Sequence, residues 1–228
     1  MQIRYFGHSA MLIELARATL LVDPFITGNR LAEPVIAPAE LKPDVILLTH
    51  AHGDHWGDTA TIAKASRALV ISNDDIAHYI IREHEYYNVR GMNTGGQATF
   101  EWGHLRLTYA RHSSSFPDGT YGGNPNGFLL RAEGKTLYML GDTGLFSEME
   151  WTGRDNDIDV AFIPVGDNYT MGPSDAILAA EMLRPRLSVP VHYSTFPEIE
   201  VDVEAWASDM AAAGFPTRVL EPGETLVI

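Results

Sequence analysis

The 228-residue sequence contains no cysteine. That excludes disulfides, zinc–thiolate fingers, iron–sulfur clusters and thiol nucleophiles. Lysine is also scarce, at Lys42, Lys64 and Lys135 only. With 16 basic against 30 acidic side chains, the formal net charge is -14. Nucleic-acid backbones and anionic membrane surfaces are both held by clustered Lys and Arg, so the composition argues against either partner. No stretch approaches the ~18 consecutive apolar residues of a membrane span. The opening MQIRYFGHSAMLIEL lacks the apolar core of a signal peptide. The expectation is a soluble, cytoplasmic protein with a small-molecule substrate. Phosphate-cradling glycine loops and dinucleotide fingerprints are absent as well.

Apolar residues at 45% and charged residues at 20% leave ample material for a buried core. The length fits one domain over residues 1–228. Short β-type segments come first, at 2–6, 10–15 and 19–23. A segment with four prolines (24, 34, 38 and 43) reads as a long loop, of the kind that is often functional. Asp44–Leu48 and Asp159–Pro164 are apolar enough to be buried strands. Further strands are expected at 68–71 and 187–191, β structure from 97 to 111, a hairpin of 127–131 with 136–140, and a last strand at 225–228. Helical spacing or stop signals mark 58–66, 74–85, 173–183 and 202–213. Strands and helices alternate throughout, so the fold class is α/β.

The segment Thr49-His50-Ala51-His52-Gly53-Asp54-His55 follows one of the apolar runs directly. Four side chains able to bind a metal fall within six residues. In an extended backbone, His50 and His52 project to one side. Gly53 permits a turn that brings Asp54 and His55 toward a second centre. One tetrahedral ion cannot comfortably use all four, whereas two adjacent ions can. Three further ligand candidates each follow a hydrophobic run: His112, Asp142 and His192. That pattern gathers them at the edge where α/β sheets commonly carry their sites. Imidazole and carboxylate without thiolate suit Zn, Mn, Fe or Ni. Asp23 and Thr49 are candidates to accept the remaining N–H groups of the ligating imidazoles.

The series His50-x-His52-x-Asp54-His55, His112, Asp142, His192 resembles the metallo-β-lactamase superfamily of dinuclear metal hydrolases over nearly the whole chain. Phe6-Gly7-His8-Ser9, Asp23-Pro24-Phe25 and Gly166–Gly172 together resemble a narrower bacterial and archaeal family of metal-dependent hydrolases related to L-ascorbate 6-phosphate lactonase. The Gly-His-Ser start is also similar to that of the N-acyl phosphatidylethanolamine phospholipase D type. The resemblance implies an αββα sandwich and two divalent metal ions. It assigns His50, His52 and His112 to the first metal. It assigns Asp54, His55 and His192 to the second, with Asp142 bridging. It further implies a metal-bridging hydroxide that cleaves an ester, lactone or phosphoester bond, catalytic parts for Asp54 and His8, and a homo-oligomer. Asn168 and Tyr169 offer a donor and a ring for substrate. Arg111 and Arg154 are either contacts for an anionic substrate or solvated surface charges. Relatives of this fold also include iron-dependent redox enzymes and RNA-cleaving enzymes. The complete ligand set and the acidic charge make the hydrolase the leading reading.

Overall fold

The computed structural model describes residues 1–228. Strand β1 (Gln2–Gly7) turns at His8-Ser9 into β2 (Ala10–Glu14), and β3 (Thr19–Val22) continues antiparallel. The prolyl segment then crosses to β4 (Val45–Leu47), which lies parallel to β3. A single-turn helix α1 (Gly53–Trp56) and α2 (Thr59–Ser66) lead to β5 (Leu69–Asn73). Helix α3 (Asp74–His84) leads to β6 (Val89–Met92). Strands β7 (Gln97–Phe100), β8 (Gly103–Tyr109), β9 (Asn126–Ala132) and β10 (Lys135–Met139) form a second antiparallel meander. Helix α4 (Met149–Asp155), β11 (Val160–Pro164), α5 (Pro173–Leu183), β12 (Ser188–Val191), α6 (Val203–Ala212) and β13 (Thr225–Val227) complete the chain.

The strands form two sheets, one of seven in the order β13-β1-β2-β3-β4-β5-β6 and one of six in the order β12-β11-β10-β9-β8-β7. The apolar runs show why the sheets are layered. In β4, Val45 and Leu47 face the space between the sheets, while Ile46 faces outward. In β11, Val160 and Phe162 face inward, and Ala161 and Ile163 outward. A strand that is apolar at every position needs cover on both faces. Ile62, Ile76 and Ile80 of α2 and α3 cover the first sheet. Ala176, Ala180, Trp206 and Met210 of α5 and α6 cover the second. The result is the four-layered αββα sandwich expected from the sequence. No helix is long and apolar enough to cross a membrane.

Local chemistry sets most element ends. Asn73 caps α3 by accepting from Ile76 N at 2.9 Å, and Asp202 caps α6 by accepting from Ala205 N at 2.9 Å. Asp58 precedes α2 but is spent elsewhere: its carboxylate accepts from Ile26 N, Thr27 N and Thr27 Oγ1, pinning the prolyl segment. The hairpin between β9 and β10 turns at Glu133-Gly134, both in the left-handed region that a two-residue turn of this kind requires. Three elements were not expected, α1, β6 and α4. The apolar pattern of β6 is broken by Arg90-Gly91. Helix α4 contains Gly153, where a Cβ would stand 2.2 Å from Met182 O, so a residue that reads as a helix breaker is what lets α4 press onto α5. The β8 strand also ends at Tyr109 rather than at Arg111.

Carboxyl ends of β3, β4, β10 and β12 meet at one edge of the sandwich, delivering Asp23, Thr49-His50, Asp142 and His192. Phe162, fully buried between the sheets, holds that edge in register. Replacing it with Ala is expected to cost about 3–5 kcal/mol in urea unfolding. A loss under about 1 kcal/mol would contradict the inter-sheet core described here.

Candidate metal centre

After β4 the backbone stays extended through His52 (φ -60, ψ 148), then closes into α1 with Trp56 N donating to His52 O at 2.7 Å. His50 and His52 therefore share one side, and the turn swings Asp54 and His55 round to the neighbouring space. His112 comes from the loop after β8. Asp142 follows Gly141, whose φ of 64 and close approach to Asn126 O (2.7 Å from where a Cβ would be) exclude a side chain. His192, also left-handed at φ 56, follows β12.

These residues converge. His52 Nδ1 stands 3.0 Å from His50 Nε2 and 3.2 Å from His112 Nε2. Asp142 lies beside this trio: its Oδ2 is 3.6 Å from His112 Nε2 and 3.9 Å from His50 Nε2. The same carboxylate faces the other way, with Oδ1 3.1 Å from His55 Nε2 and Oδ2 2.8 Å from His192 Nε2. Asp54 Oδ2 is 3.7 Å from His192 Nε2. Three groups with convergent ligand atoms result: His50-His52-His112, His50-His55-Asp142, and His8-Asp54-His55-His192. His8, expected as a catalytic neighbour, thus stands inside the cluster.

The donor set fits divalent cations. Atoms bound at ~2.0–2.1 Å around a tetrahedral ion stand roughly 3.3–3.4 Å apart, close to the spacing within the histidine trio. His55 Nε2, His192 Nε2 and the Asp142 carboxylate are buried and have no partner outside the cluster. They face only one another, and a buried polar atom is costly unless a proton or a cation satisfies it.

A surrounding set of hydrogen bonds fixes which ring nitrogen is free. Asp23 Oδ1 accepts from Thr49 N at 2.8 Å, and Oδ2 accepts from Thr49 Oγ1 at 2.7 Å and from His55 Nδ1 at 2.8 Å. Thr49 has then spent its only hydroxyl hydrogen, so at 3.0 Å it accepts from His50 Nδ1. Both imidazoles carry Nδ1–H and aim Nε2 at the cluster. His52 is reversed: its Nε2 lies 3.3 Å from Ser113 Oγ, leaving Nδ1 facing inward. Ser113 and Ser114, which accepts from Ala51 N at 3.2 Å, brace the motif from the loop after β8. Spacing gave no signal for Thr195, whose Oγ1 lies 3.0 Å from His8 Nδ1.

Electrostatics divide the cluster. Burial pushes the His50, His52 and His112 rings below the usual histidine range. His8 is lowered to about 4, by burial first and then by the His192 ring. Burial acts on His55 and His192 as well, but Asp142 overcomes it, aided at His55 by Asp23. His55 is raised well above the usual range and His192 to about 9. Asp142 and Asp54 are pushed up by burial yet held well below the ordinary carboxylate range by the rings facing them.

The other candidates lie outside the cluster. Asn168 and Tyr169 sit in an exposed turn, and neither side chain hydrogen-bonds to a cluster residue. That turn is tied to the Asp142 loop by Met171 N donating to Thr143 O at 3.0 Å. Arg154 pairs with Asp155 at 2.7 Å on α4, and Arg111 Nη1 donates to Leu145 O at 3.4 Å.

An αββα sandwich with this His/Asp cluster at its edge defines a metal-dependent hydrolase of the metallo-β-lactamase fold. The family described as the beta-lactamase superfamily domain matches residues 18–193. A UPF0173 metal-dependent hydrolase of Salinibacter ruber is 46% identical over 228 residues, covering 100% of both chains. Another, from Thermus thermophilus, is 46% identical over 225 residues, covering 99% of this chain and 98% of its own. The solved structure of Igni18, a metallo hydrolase from Ignicoccus hospitalis, is 37% identical with a TM-score of 0.88, covering 99% of this chain and 97% of its own. The chain belongs to the UPF0173 metal-dependent hydrolases of the β-lactamase superfamily.

Asp142 raises the proton affinity of His55 and His192 in the metal-free chain, whereas burial lowers that of the His50-His52-His112 trio. Loading zinc is therefore expected to release protons. Apparent affinity should climb with pH until His192 deprotonates at about 9. Calorimetric titration in two buffers of different protonation enthalpy reads the release, and heats identical in both would contradict it.

Proposed function

We propose that the protein is a dinuclear hydrolase that cleaves an ester, lactone or phosphoester bond of a small polar metabolite. The observation that carries this reading is the Asp142 carboxylate, which stands between two separate sets of ligand atoms. His50, His52 and His112 would hold one divalent cation. His55, His192 and Asp54 would hold the second, with Asp142 shared. The all-nitrogen trio favours zinc, and Mn, Fe and Ni are the other ions this donor chemistry accepts. Bound cations supply Lewis acidity and make a water nucleophilic near neutral pH.

The chain's own residues supply the rest. Asp142 is sealed from solvent, with its side chain only 2% exposed, and serves to hold the two sets together. Asp54 is different: its side chain is 26% exposed, so it alone among the cluster carboxylates reaches incoming water. It orients the attacking water and takes its proton. The Asn168-Tyr169 turn, tied to the Asp142 loop, would meet the substrate from the rim. The net charge of -14 supports a small molecule over a nucleic acid as substrate.

A panel of bis-p-nitrophenyl phosphate, p-nitrophenyl esters and lactones, with Zn, Mn, Ni or Fe added, tests this. The metal-loaded protein is expected to turn over at least one bond class. Asp54→Asn should then lower kcat about 10²–10⁴-fold. No turnover of any class, or an unimpaired Asp54→Asn variant, would contradict the reading.

A further inference from the structure

We propose that His8 is a positioning residue: a hydrogen-bond line from Thr195 through His8 holds Asp54 by Oδ2, the oxygen that also stands 3.7 Å from His192 Nε2, and so fixes the angle at which Asp54 faces metal and water. The inference rests on the dinuclear reading above and assigns His8 a place outside the metal ligands.

The geometry separates His8 from the other rings of the cluster. His8 Nε2 is 3.1 Å from Asp54 Oδ2, and Nδ1 is 3.0 Å from Thr195 Oγ1. An ionised carboxylate only accepts, so Nε2 donates to Asp54 and Nδ1 accepts from the Thr195 hydroxyl. Both ring nitrogens are spent. His50 and His55, by contrast, each give one nitrogen to the Asp23-Thr49 pair and keep the other free. The Thr195 hydroxyl has an alternative acceptor in Tyr193 O, but at 3.3 Å that contact is longer than the one to His8.

The line is built to be rigid. His8 is fully buried and sits in the β1–β2 turn at φ 59, a left-handed conformation that persists only where the surroundings hold it. Its carbonyl accepts from His192 N at 2.8 Å and from Tyr5 Oη at 3.1 Å, which fixes the backbone beneath the ring. The ring lies edge-on to Phe25 and Phe196, at centroid distances of 5.7 and 5.6 Å. At the far end, Arg30 of the prolyl segment donates from Nε to Thr195 O at 3.1 Å and from Nη2 to Ser194 O, clamping the turn that carries Thr195. Asp54 is the partly exposed carboxylate of the cluster. Unrestrained, it could swing toward solvent, and the His8 bond removes that freedom.

Imidazole ¹⁵N–¹H NMR of the metal-free and zinc-loaded protein tests this without relying on turnover. His8 is expected to show Nε2–H and an unprotonated Nδ1 in both states, while His55 and His192 lose their Nε2 protons on loading. Thr195→Val should shift the His8 signals and lower kcat about tenfold with zinc content unchanged, and Thr195→Ser should restore both. Loss of the His8 Nε2 proton on zinc loading would make His8 a ligand and overturn the proposal. His8 signals unmoved in Thr195→Val would overturn it too. If the wild-type protein takes up no zinc, the dinuclear reading fails, yet the metal-free spectrum still decides His8: Nδ1–H there overturns the line, and Nε2–H sustains it.

Discussion

Asp23 accepts three hydrogen bonds in the interior, from the Thr49 amide, the Thr49 hydroxyl and His55 Nδ1. Through Thr49 it also fixes the proton of His50. The carboxylate is 1% exposed and left-handed at φ 41, and its own amide donates to Leu47 O at 3.0 Å. It therefore ties the end of β3 to the end of β4 while setting the tautomers of two cluster imidazoles. Remove that constraint and either ring can present the wrong nitrogen, so the convergence of the other ligands loses its purpose. The strained backbone at Asp23 is one of several such positions at this edge, with His8, His192 and Ser194. Strain of this kind persists only where the surroundings over-determine it, and here the sandwich does so.

The cluster is electrostatically uneven. Burial first, and then the neighbouring rings, lower the proton affinity of the His50-His52-His112 trio. On the other side Asp142 raises the proton affinity of His55 and His192, so a cation there would compete with protons. Asp142 thus faces both halves, and protons on His55 and His192 would satisfy it where a cation is absent. A buried carboxylate facing two imidazoles is tolerable only because one positive species or another always neutralises it.

Much of this was legible in the sequence where local chemistry and tertiary outcome agree. The unbroken apolar runs at 44–48 and 159–164 could be buried only as two-faced strands. His50 through His55 gave the cluster, and ligand candidates placed just after strands gave the edge. Legibility failed where distant packing decides. Gly153 looks like a stop signal until Met182 is seen beside it. Val89–Met92 carries too little apolar pattern to declare a strand, and it forms because β5 offers an edge to pair with. Asp58 reads as a helix cap but is drawn off by Ile26 and Thr27. Ser113 and Thr195 have no motif of their own, since their roles come from which ring nitrogen the fold turns toward them.

Anomalous diffraction from metal-loaded crystals, collected at the absorption edge of the bound ion, tests the central claim most directly. The account predicts two peaks about 3.5–4 Å apart. One should lie among His50, His52 and His112, and the other among His55, His192 and Asp54, with Asp142 between them. A single peak, or a peak away from the Asp142 carboxylate, would contradict it.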